Sequence, residues 1–271
     1  MIGQRFRIDA VIGRGAMADV YRAHDLEGGD PVALKIMKRS LSSDPSLKQR
    51  FAREADAQAK LRHPNVAALH ATGVTEHDEP YLVVELLRGK TLRSLLKTEG
   101  ALVARKATSY AWQALQGLAA VHKMGVLHRD LKPANIMLEP SPGPTERVVL
   151  IDFGFATLEG AARLTQQGTI VGSLTYIAPE RLRGEQPDRR SDLYAIGIIL
   201  YEMLSGAPPF VAAKELDLVE LQLEAEPPPL DDSVPEALRA VLDNALAKHP
   251  TERYFDAGAM AHALEEAAQT L

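Results

Sequence analysis

The chain contains no cysteine. No disulfide can staple it and no thiolate can hold a metal, which fits a reducing compartment and makes the cytoplasm the expected location. No apolar run approaches the roughly 20 residues of a membrane-spanning helix, and the opening residues MIGQRFRIDA lack the apolar core of a secretory signal. We therefore expect no membrane segment in this chain, whether it is an intact small protein or the cytosolic piece of a longer one. Positive charge is not in excess either: 31 Lys and Arg against 36 Asp and Glu leave a net charge of −5. That removes nucleic acid and other polyanions from the expected partners. The eight histidines show no ligand spacing, so histidine-based metal chemistry is not expected. What is present is a 271-residue chain that is 46% hydrophobic, enough for a sizeable core, without an internal repeat.

Hydrophobic periodicity changes character along the chain. Residues 6–11, 19–24 and 32–37 are short, rich in β-branched side chains and separated by Gly/Asp-containing turns, the pattern of strands. One helical stretch follows, 46–61, with Leu47, Phe51, Ala55 and Gln58 about one turn apart. Strand signals return at 66–72 and 81–86, and Gly89 marks a break. Beyond it the pattern is mainly helical: a short amphipathic piece over 91–97, then a stripe through Ala111, Leu115, Leu118 and Val121 that predicts a helix over 104–124. The almost wholly apolar run 192–205 predicts a buried helix too short for a membrane. Ser233-Val-Pro-Glu236 has capping-box spacing and predicts a helix over 236–247. The Pro-rich stretches 139–146 and 226–230 read as surface loops. A strand-rich first third and a helical remainder predict an α+β fold of two lobes.

Three segments carry groups suited to chemistry. In IGRGAMADVYRAHD, Gly13 and Gly15 lie between two strand signals, so the backbone can approach a ligand closely and its amides can bond phosphate oxygens. An ordinary glycine-containing hairpin explains that segment equally well. A dinucleotide-binding reading fails, because a strand and not a helix follows. In VALKIM, Lys35 is the only charge in an apolar strand: either it snorkels to water, or its ammonium faces phosphates and is held by a carboxylate such as Glu54. The third segment is VLHRDLKPANIML with its distant complement VVLIDFGFA. Asp152 ends a hydrophobic run and is followed by Phe153-Gly154, a suitable ligand for a divalent cation that takes one or two carboxylates plus phosphate oxygens. Asn135 can add a carbonyl oxygen, Asp130 can accept a hydroxyl proton, and Lys132 can neutralise charge on a transferring phosphoryl group. Together these are the parts of in-line phosphoryl transfer, where catalysis is mostly positioning and electrostatics.

Gly13-x-Gly15-x-x-Ala18-x-Val20, Val32-Ala-Leu-Lys35, Glu54, His128-Arg-Asp130 through Asn135, Asp152-Phe-Gly154 and Ala178-Pro-Glu180 follow one another in the order of the protein-kinase signature set. From about residue 5 to 265 the chain resembles bacterial Hanks-type (eukaryotic-like) serine/threonine kinases. The resemblance implies one protein kinase domain over 1–271: an antiparallel β-sheet N-lobe with one main helix over about 1–84, a hinge over about 85–90 and a mostly helical C-lobe over about 91–271. It implies ATP and Mg²⁺ as cofactors, with Mn²⁺ able to substitute, protein substrates, and a transferase that moves the γ-phosphate to Ser/Thr hydroxyls in signal transduction. Asp130 would orient or deprotonate the hydroxyl, Lys132 would stabilise the transferred group, Asn135 and Asp152 would hold the metal, and Lys35, clamped by Glu54, would contact the α and β phosphates. Ile12, Gly13, Gly15, Val20, Ala33 and Met137 would line the nucleotide. The backbone of Glu85 and Leu87 would bond the adenine edge, and Val84 would be a small gatekeeper. Glu180 would pair with Arg253, since a buried charge needs a partner, and Asp192 would brace the catalytic loop. Arg129 would read phosphate on an activation segment between Asp152 and Glu180, with Thr165 and Thr169 the preferred sites of autophosphorylation. Ser173 would bond Asp130 and Lys132 and mark Ser/Thr selectivity. Thr157 and Thr175 share this segment.

Three positions depart from the family pattern. Ala18 replaces the third glycine of the phosphate loop, Ser173 stands where threonine is usual, and Gln58 puts a carboxamide where the family has an apolar residue stacked with Leu69, Phe153 and His128. That carboxamide must find a partner or solvent, and it raises the expectation of an activating partner or a homodimer formed through the N-lobe. Thr91 and Ala134 are not acidic, which argues against a strong preference for arginine upstream of the target hydroxyl. The rival reading is a pseudokinase or nucleotide-binding scaffold; the full set Lys35, Glu54, Asp130, Asn135 and Asp152 speaks against it. A small-molecule phosphotransferase of the same fold is disfavoured by Lys132 and the Ala178-Pro-Glu180 segment.

Overall fold

In the computed structural model the described residues are 1–15, 17–143, 145–152 and 174–271; within the helix over 45–59, residues 50, 53, 54 and 57 are described by their backbone alone. The chain divides into two compact units, Met1–Arg88 and Gly89–Leu271.

The first unit is built on a five-stranded antiparallel sheet, order β1-β2-β3-β5-β4. Its strands are β1 (Phe6–Arg14), β2 (Ala18–Asp25), β3 (Pro31–Met37), β4 (Leu69–Val74) and β5 (Pro80–Glu85). After β3 come a single helical turn, α1 (Arg39–Ser42), and the longer α2 (Pro45–Ala59), which packs against β4 and β5. Because successive side chains of a strand point to opposite faces, the register decides what each face carries. Leu34 pairs with Tyr21 and Val83, and with Phe6, Ala23 and Val32 they form the apolar cluster of one face. Lys35 pairs with Val20 and Leu82, and Ala33 with Val84, so these five share the other face. A one-residue slip would exchange the two sets. The expected strand 66–72 starts later, at Leu69, because 63–66 forms a turn in which the Val66 amide reaches the His63 carbonyl at 3.1 Å.

The second unit is mainly helical. Its helices are α3 (Leu92–Glu99), α4 (Ala104–Lys123), α5 (Pro179–Leu182), α6 (Arg189–Ser205), α7 (Glu215–Glu224), α8 (Glu236–Ala245) and α9 (Ala257–Ala268). Every residue of α6 from Ser191 to Leu204 is buried, as an almost wholly apolar helix requires. Asp188 caps its start by accepting from the Arg190 amide at 2.7 Å, and Gly206, at φ 86°, ends it in the left-handed region. Helix α4 lays its stripe of Ala107, Ala111, Leu115 and Leu118 into the same core and packs on α6 and α9. Among the described residues no helix is long and apolar enough to cross a membrane.

Two features of the second unit also differ from the sequence expectation. The second unit also holds a small sheet, β6 (Lys90–Thr91), β7 (Ile136–Glu139) and β8 (Arg147–Leu150), of which only the β8 run is evident beforehand. The capping box at Ser233 does not form: Pro235 takes the cap position of α8, and the Ser233 amide is bound by the Asp231 carboxylate at 2.9 Å in a turn of its own.

Gly89, at φ 151°, lies so close to β7 that a Cβ there would collide with the Leu138 carbonyl. Gly89→Ala combines that overlap with a backbone conformation that L side chains rarely adopt. We expect its melting temperature, read by calorimetry, to fall by at least about 5 °C; an unchanged value would mean the approach is relieved at no cost.

Candidate active site

The second unit concentrates unlike polar groups between the end of α4 and the start of β7. The segment 126–132 has no regular structure of its own, so its backbone groups depend on outside partners. Asp192, in the first turn of α6 and 3% exposed, supplies them. One carboxylate oxygen accepts from the Arg129 amide at 2.9 Å; the other accepts from the His128 amide at 2.8 Å and lies 2.8 Å from His122 Nε2. Burial pushes the Asp192 carboxyl up, but the hydrogen bonds from His122 and from the Arg129 amide outweigh it and hold it below the ordinary value. Arg129 itself sits at φ 63°, unusual for a long side chain. Its carbonyl is bound as well, by Arg181 Nη1 at 2.6 Å, so both its peptide groups are fixed from outside the loop. His128 is fully buried, and burial depresses its pKa, which keeps the imidazole neutral beside Asp130, Asp152 and Asp192.

Held in this way, the loop turns Asp130, Lys132 and Asn135 toward one another. Lys132 Nζ lies 2.7 and 3.0 Å from the two Asp130 carboxylate oxygens. Asn135 Nδ2 donates to the Asp130 side chain at 2.9 Å and to its carbonyl at 2.8 Å. Pro133 opens a short 3₁₀ turn, Pro133–Asn135, that carries Asn135 back to Asp130. The β7–β8 ladder extends by one further bond, from the Ile151 amide to the Asn135 carbonyl at 3.0 Å, and this brings Asp152 alongside Asn135. Asp152, like Arg129, is a non-glycine residue in the left-handed region, at φ 54°. Among the described residues no cluster of three or more His, Asp or Glu could hold a metal ion. A carboxylate just past the end of β8 and a carboxamide just before the start of β7 are nevertheless the oxygen donors that a small hard cation takes when phosphate oxygens complete its shell. Met137 follows on β7, half-buried.

The other residues singled out from the sequence fall in the first unit or outside the described residues. Gly13 pairs with Val20 across the β1–β2 hairpin, and the Gly15 amide bonds the Ala18 carbonyl at 2.9 Å; a Cβ on Gly15 would stand 3.0 Å from that oxygen. Ala18 is buried at the start of β2, and Ile12, on β1, is exposed. Val20, Ala33, Lys35 and Val84 share one sheet face, as described. The Glu85 amide is taken by the Ala68 carbonyl at 2.9 Å, while Leu87 lies beyond β5, half-buried. Glu54 lies on α2 and its side chain is outside the described residues. Phe153, Gly154, Thr157, Thr165, Thr169 and Ser173 are outside them entirely. Gln58 is buried and meets its need for a partner halfway. Its Nε2 donates to the Ala67 carbonyl at 3.1 Å, whereas Oε1 has no hydrogen-bond partner among the described residues.

Glu180 and Arg253 form a fully buried two-pronged ion pair, 2.9 Å on each prong. The remaining guanidinium donors reach the carbonyls of Ala247, Lys248 and Arg190, and Ser191 donates to Glu180 at 2.6 Å. Sequence reasoning did not single out His122 or Arg181, the two side chains that complete the support of the loop. His122 ends the stripe-bearing helix as one more polar residue, and nothing in its spacing points to Asp192, 70 residues on.

A carboxylate, an ammonium and a carboxamide gathered on one loop, with a second carboxylate two residues past the end of β8, are groups that suit phosphoryl transfer. The chain belongs to the protein kinase domain family, whose model matches residues 6–265. Among its relatives are bacterial serine/threonine-protein kinases: PknA of Mycobacterium tuberculosis, 37% identical over 96% of this chain, and PknB of Mycobacterium leprae, 36% identical over 96%. The chain spans 60% of the length of that PknA and 42% of that PknB. Among solved structures, a double mutant of the PknI kinase domain of Mycobacterium tuberculosis superposes with a TM-score of 0.75 at 25% identity, over 99% of this chain and 97% of that one. The fold is therefore the protein-kinase fold, with an antiparallel-sheet unit followed by a helical one.

Burial raises the Glu180 carboxyl, but Arg253 and Ser191 outweigh it and the group titrates below its ordinary value. A carboxyl depressed by folding adds stability that is present above its unfolded pKa, about 4.5, and is lost as pH falls through the folded value. Arg253→Met strands a buried carboxylate and should cost about 3–5 kcal/mol near neutral pH. Because the stranded group can then escape by taking a proton, the deficit should shrink as pH falls, and Glu180→Leu/Arg253→Met should recover the part of it that the stranded charge causes. Urea melts at two pH values test this; a deficit that does not change with pH would contradict it.

Proposed function

We propose that this chain is a serine/threonine protein kinase domain that transfers the γ-phosphate of ATP to Ser/Thr hydroxyls of proteins. The observation that carries the reading is the cluster of Asp130, Lys132 and Asn135, adjoining Asp152 and held on a fixed backbone. Its groups are the ones that the chemistry of phosphoryl transfer asks for. In this reading Asp130 receives the acceptor hydroxyl and takes its proton. Lys132, now lying across both Asp130 oxygens, moves its charge to the transferring phosphoryl group. That leaves the carboxylate oriented by Asn135 alone and free to accept the proton. Asn135 and Asp152 would hold Mg²⁺, with Mn²⁺ able to substitute; when bound, the ion neutralises charge on the phosphate oxygens.

The first unit supplies groups for nucleotide binding: backbone amides at Gly13 and Gly15, the face of Val20, Ala33 and Val84, and Lys35 for phosphate, with Glu54 as its clamp. Ile12 and Met137 are assigned to the adenine. Since the Glu85 amide is already used by Ala68, the groups assigned to the adenine edge are the Glu85 carbonyl and the Leu87 amide. We extend the kinase domain over 1–271, with 85–90 as the hinge. Thr165 and Thr169 are the proposed autophosphorylation sites, Arg129 the group that reads them and Ser173 the residue that selects hydroxyl acceptors. The half-satisfied carboxamide of Gln58 supports an activating partner, a second copy included, that packs on the first unit. The pseudokinase reading has no specific observation in its favour.

The test compares wild type with Asp130→Asn in Mg²⁺-ATP, mapping phosphosites by mass spectrometry. We expect phosphate on Ser or Thr in the wild type, Thr165 or Thr169 among them, and a fall of at least about a hundredfold in the variant, as loss of a positioned proton acceptor implies. No phosphate in either protein, with ATP still bound, would replace the kinase by the scaffold.

A further inference from the structure

The residues just before the Ala178-Pro179-Glu180 motif are held by buried side chains. Leu174 and Tyr176 are buried in the core of the helical unit. The Tyr176 hydroxyl donates to Glu202 Oε2 at 2.6 Å, and Arg93 reaches the other oxygen of Glu202 at 3.1 Å. A further anchor comes from α7. Gln222, fully buried, donates from Nε2 to the main-chain oxygen of Thr175 at 2.5 Å, and its Oε1 accepts from the Tyr194 hydroxyl at 2.6 Å. This sets the orientation of the carboxamide: reversed, it would point an oxygen at the Thr175 oxygen. Lys248 fixes the last turn of α7 in its place, with Nζ 2.9 Å from the Gln222 carbonyl and 3.3 Å from that of Leu221. A buried carboxamide is costly unless both its ends are bonded, and here both ends are.

We propose that Gln222 is a positioning residue for phosphoryl transfer. By holding the main chain at Thr175 it fixes the segment 174–178 as the surface that receives the polypeptide around the target hydroxyl, so α7 sets affinity for the acceptor and not for ATP. This rests on the kinase reading above.

Gln222→Glu is the sharpest test, because it keeps the shape and the Tyr194 bond but turns a carboxylate oxygen toward the Thr175 oxygen. A buried carboxyl takes up a proton more readily than an exposed one, and once protonated it can donate to Thr175 again. Steady-state kinetics would use the full chain, Mg²⁺-ATP and a Ser/Thr peptide selected with the wild type from a degenerate library. At about pH 8.5 we expect the peptide KM to rise roughly tenfold, with the KM for ATP within about twofold of wild type. At about pH 6.5 the peptide KM should return toward the wild-type value. A peptide KM equal to wild type at both pH values, or an ATP KM that rises in parallel, would overturn the proposal. Should the Glu variant fail to fold, Tyr194→Phe, which frees Oε1 and keeps the ring, should raise the peptide KM several-fold by the same pattern; no rise would overturn it. If the wild type binds ATP but phosphorylates no peptide of the library, the kinase reading falls and this role with it. An active wild type with an indifferent Gln222 removes this role alone.

Discussion

Most of the chemistry ascribed to this chain depends on one buried carboxylate. Asp192 contributes no atom to the proposed transfer, yet its two oxygens receive consecutive backbone amides, those of His128 and Arg129, and lie against His122. A loop without secondary structure can keep its peptide groups satisfied only through such contacts. Here they also hold Arg129 in a left-handed conformation that a long side chain would otherwise leave. Burying the carboxylate costs desolvation, which its hydrogen bonds outweigh. The net result is rigidity at the residue next to Asp130, where the proposed proton transfer needs it most.

A second buried charge plays the same part further along. Glu180 and Arg253 close on each other with every remaining guanidinium donor directed at a carbonyl, so the short α5 is pinned to α6 and to the turn before α9. Such pairs seldom add much net stability over apolar residues of equal size. What they add is directional. Backbone carbonyls of Arg190, Ala247 and Lys248 are gathered around one side chain, and a hydrophobic replacement could not gather them. The helical unit thus combines an apolar interior centred on α6 with a few ionic contacts that fix irregular chain on its surface.

The sequence revealed much of this, and what it left hidden has a common cause. The strands of the first unit and the helices α2, α4 and α6 are legible because each buries one face or all of itself, and burial imposes a period. The groups proposed for chemistry are legible because phosphoryl transfer demands a small set of unlike polar residues, three of which sit within six positions. Contacts between polar side chains far apart in the chain have no such signature. Gln222 looks like any polar residue of a surface helix, although it is buried against Thr175 and Tyr194; His122 looks like a helix-end histidine. Strand β7 is hidden by its length, four residues directly after the loop. The supposed cap at Ser233 failed for a local reason, since Asp231 captured its amide first. Gln58 was legible as an oddity, while the half-satisfied state of its carboxamide depended on where the Ala67 carbonyl would lie.

Asp192 imposes the geometry of the loop 126–132 from outside it. Amide hydrogen exchange followed by mass spectrometry on wild type and Asp192→Asn tests this directly, since the carboxamide offers one acceptor oxygen in place of two. Exchange over 126–131 should speed up by at least about tenfold in the variant while α4 and β3 keep their protection, the signature of a local opening. Equal exchange over 126–131 in the two proteins would show that the loop holds its shape without Asp192.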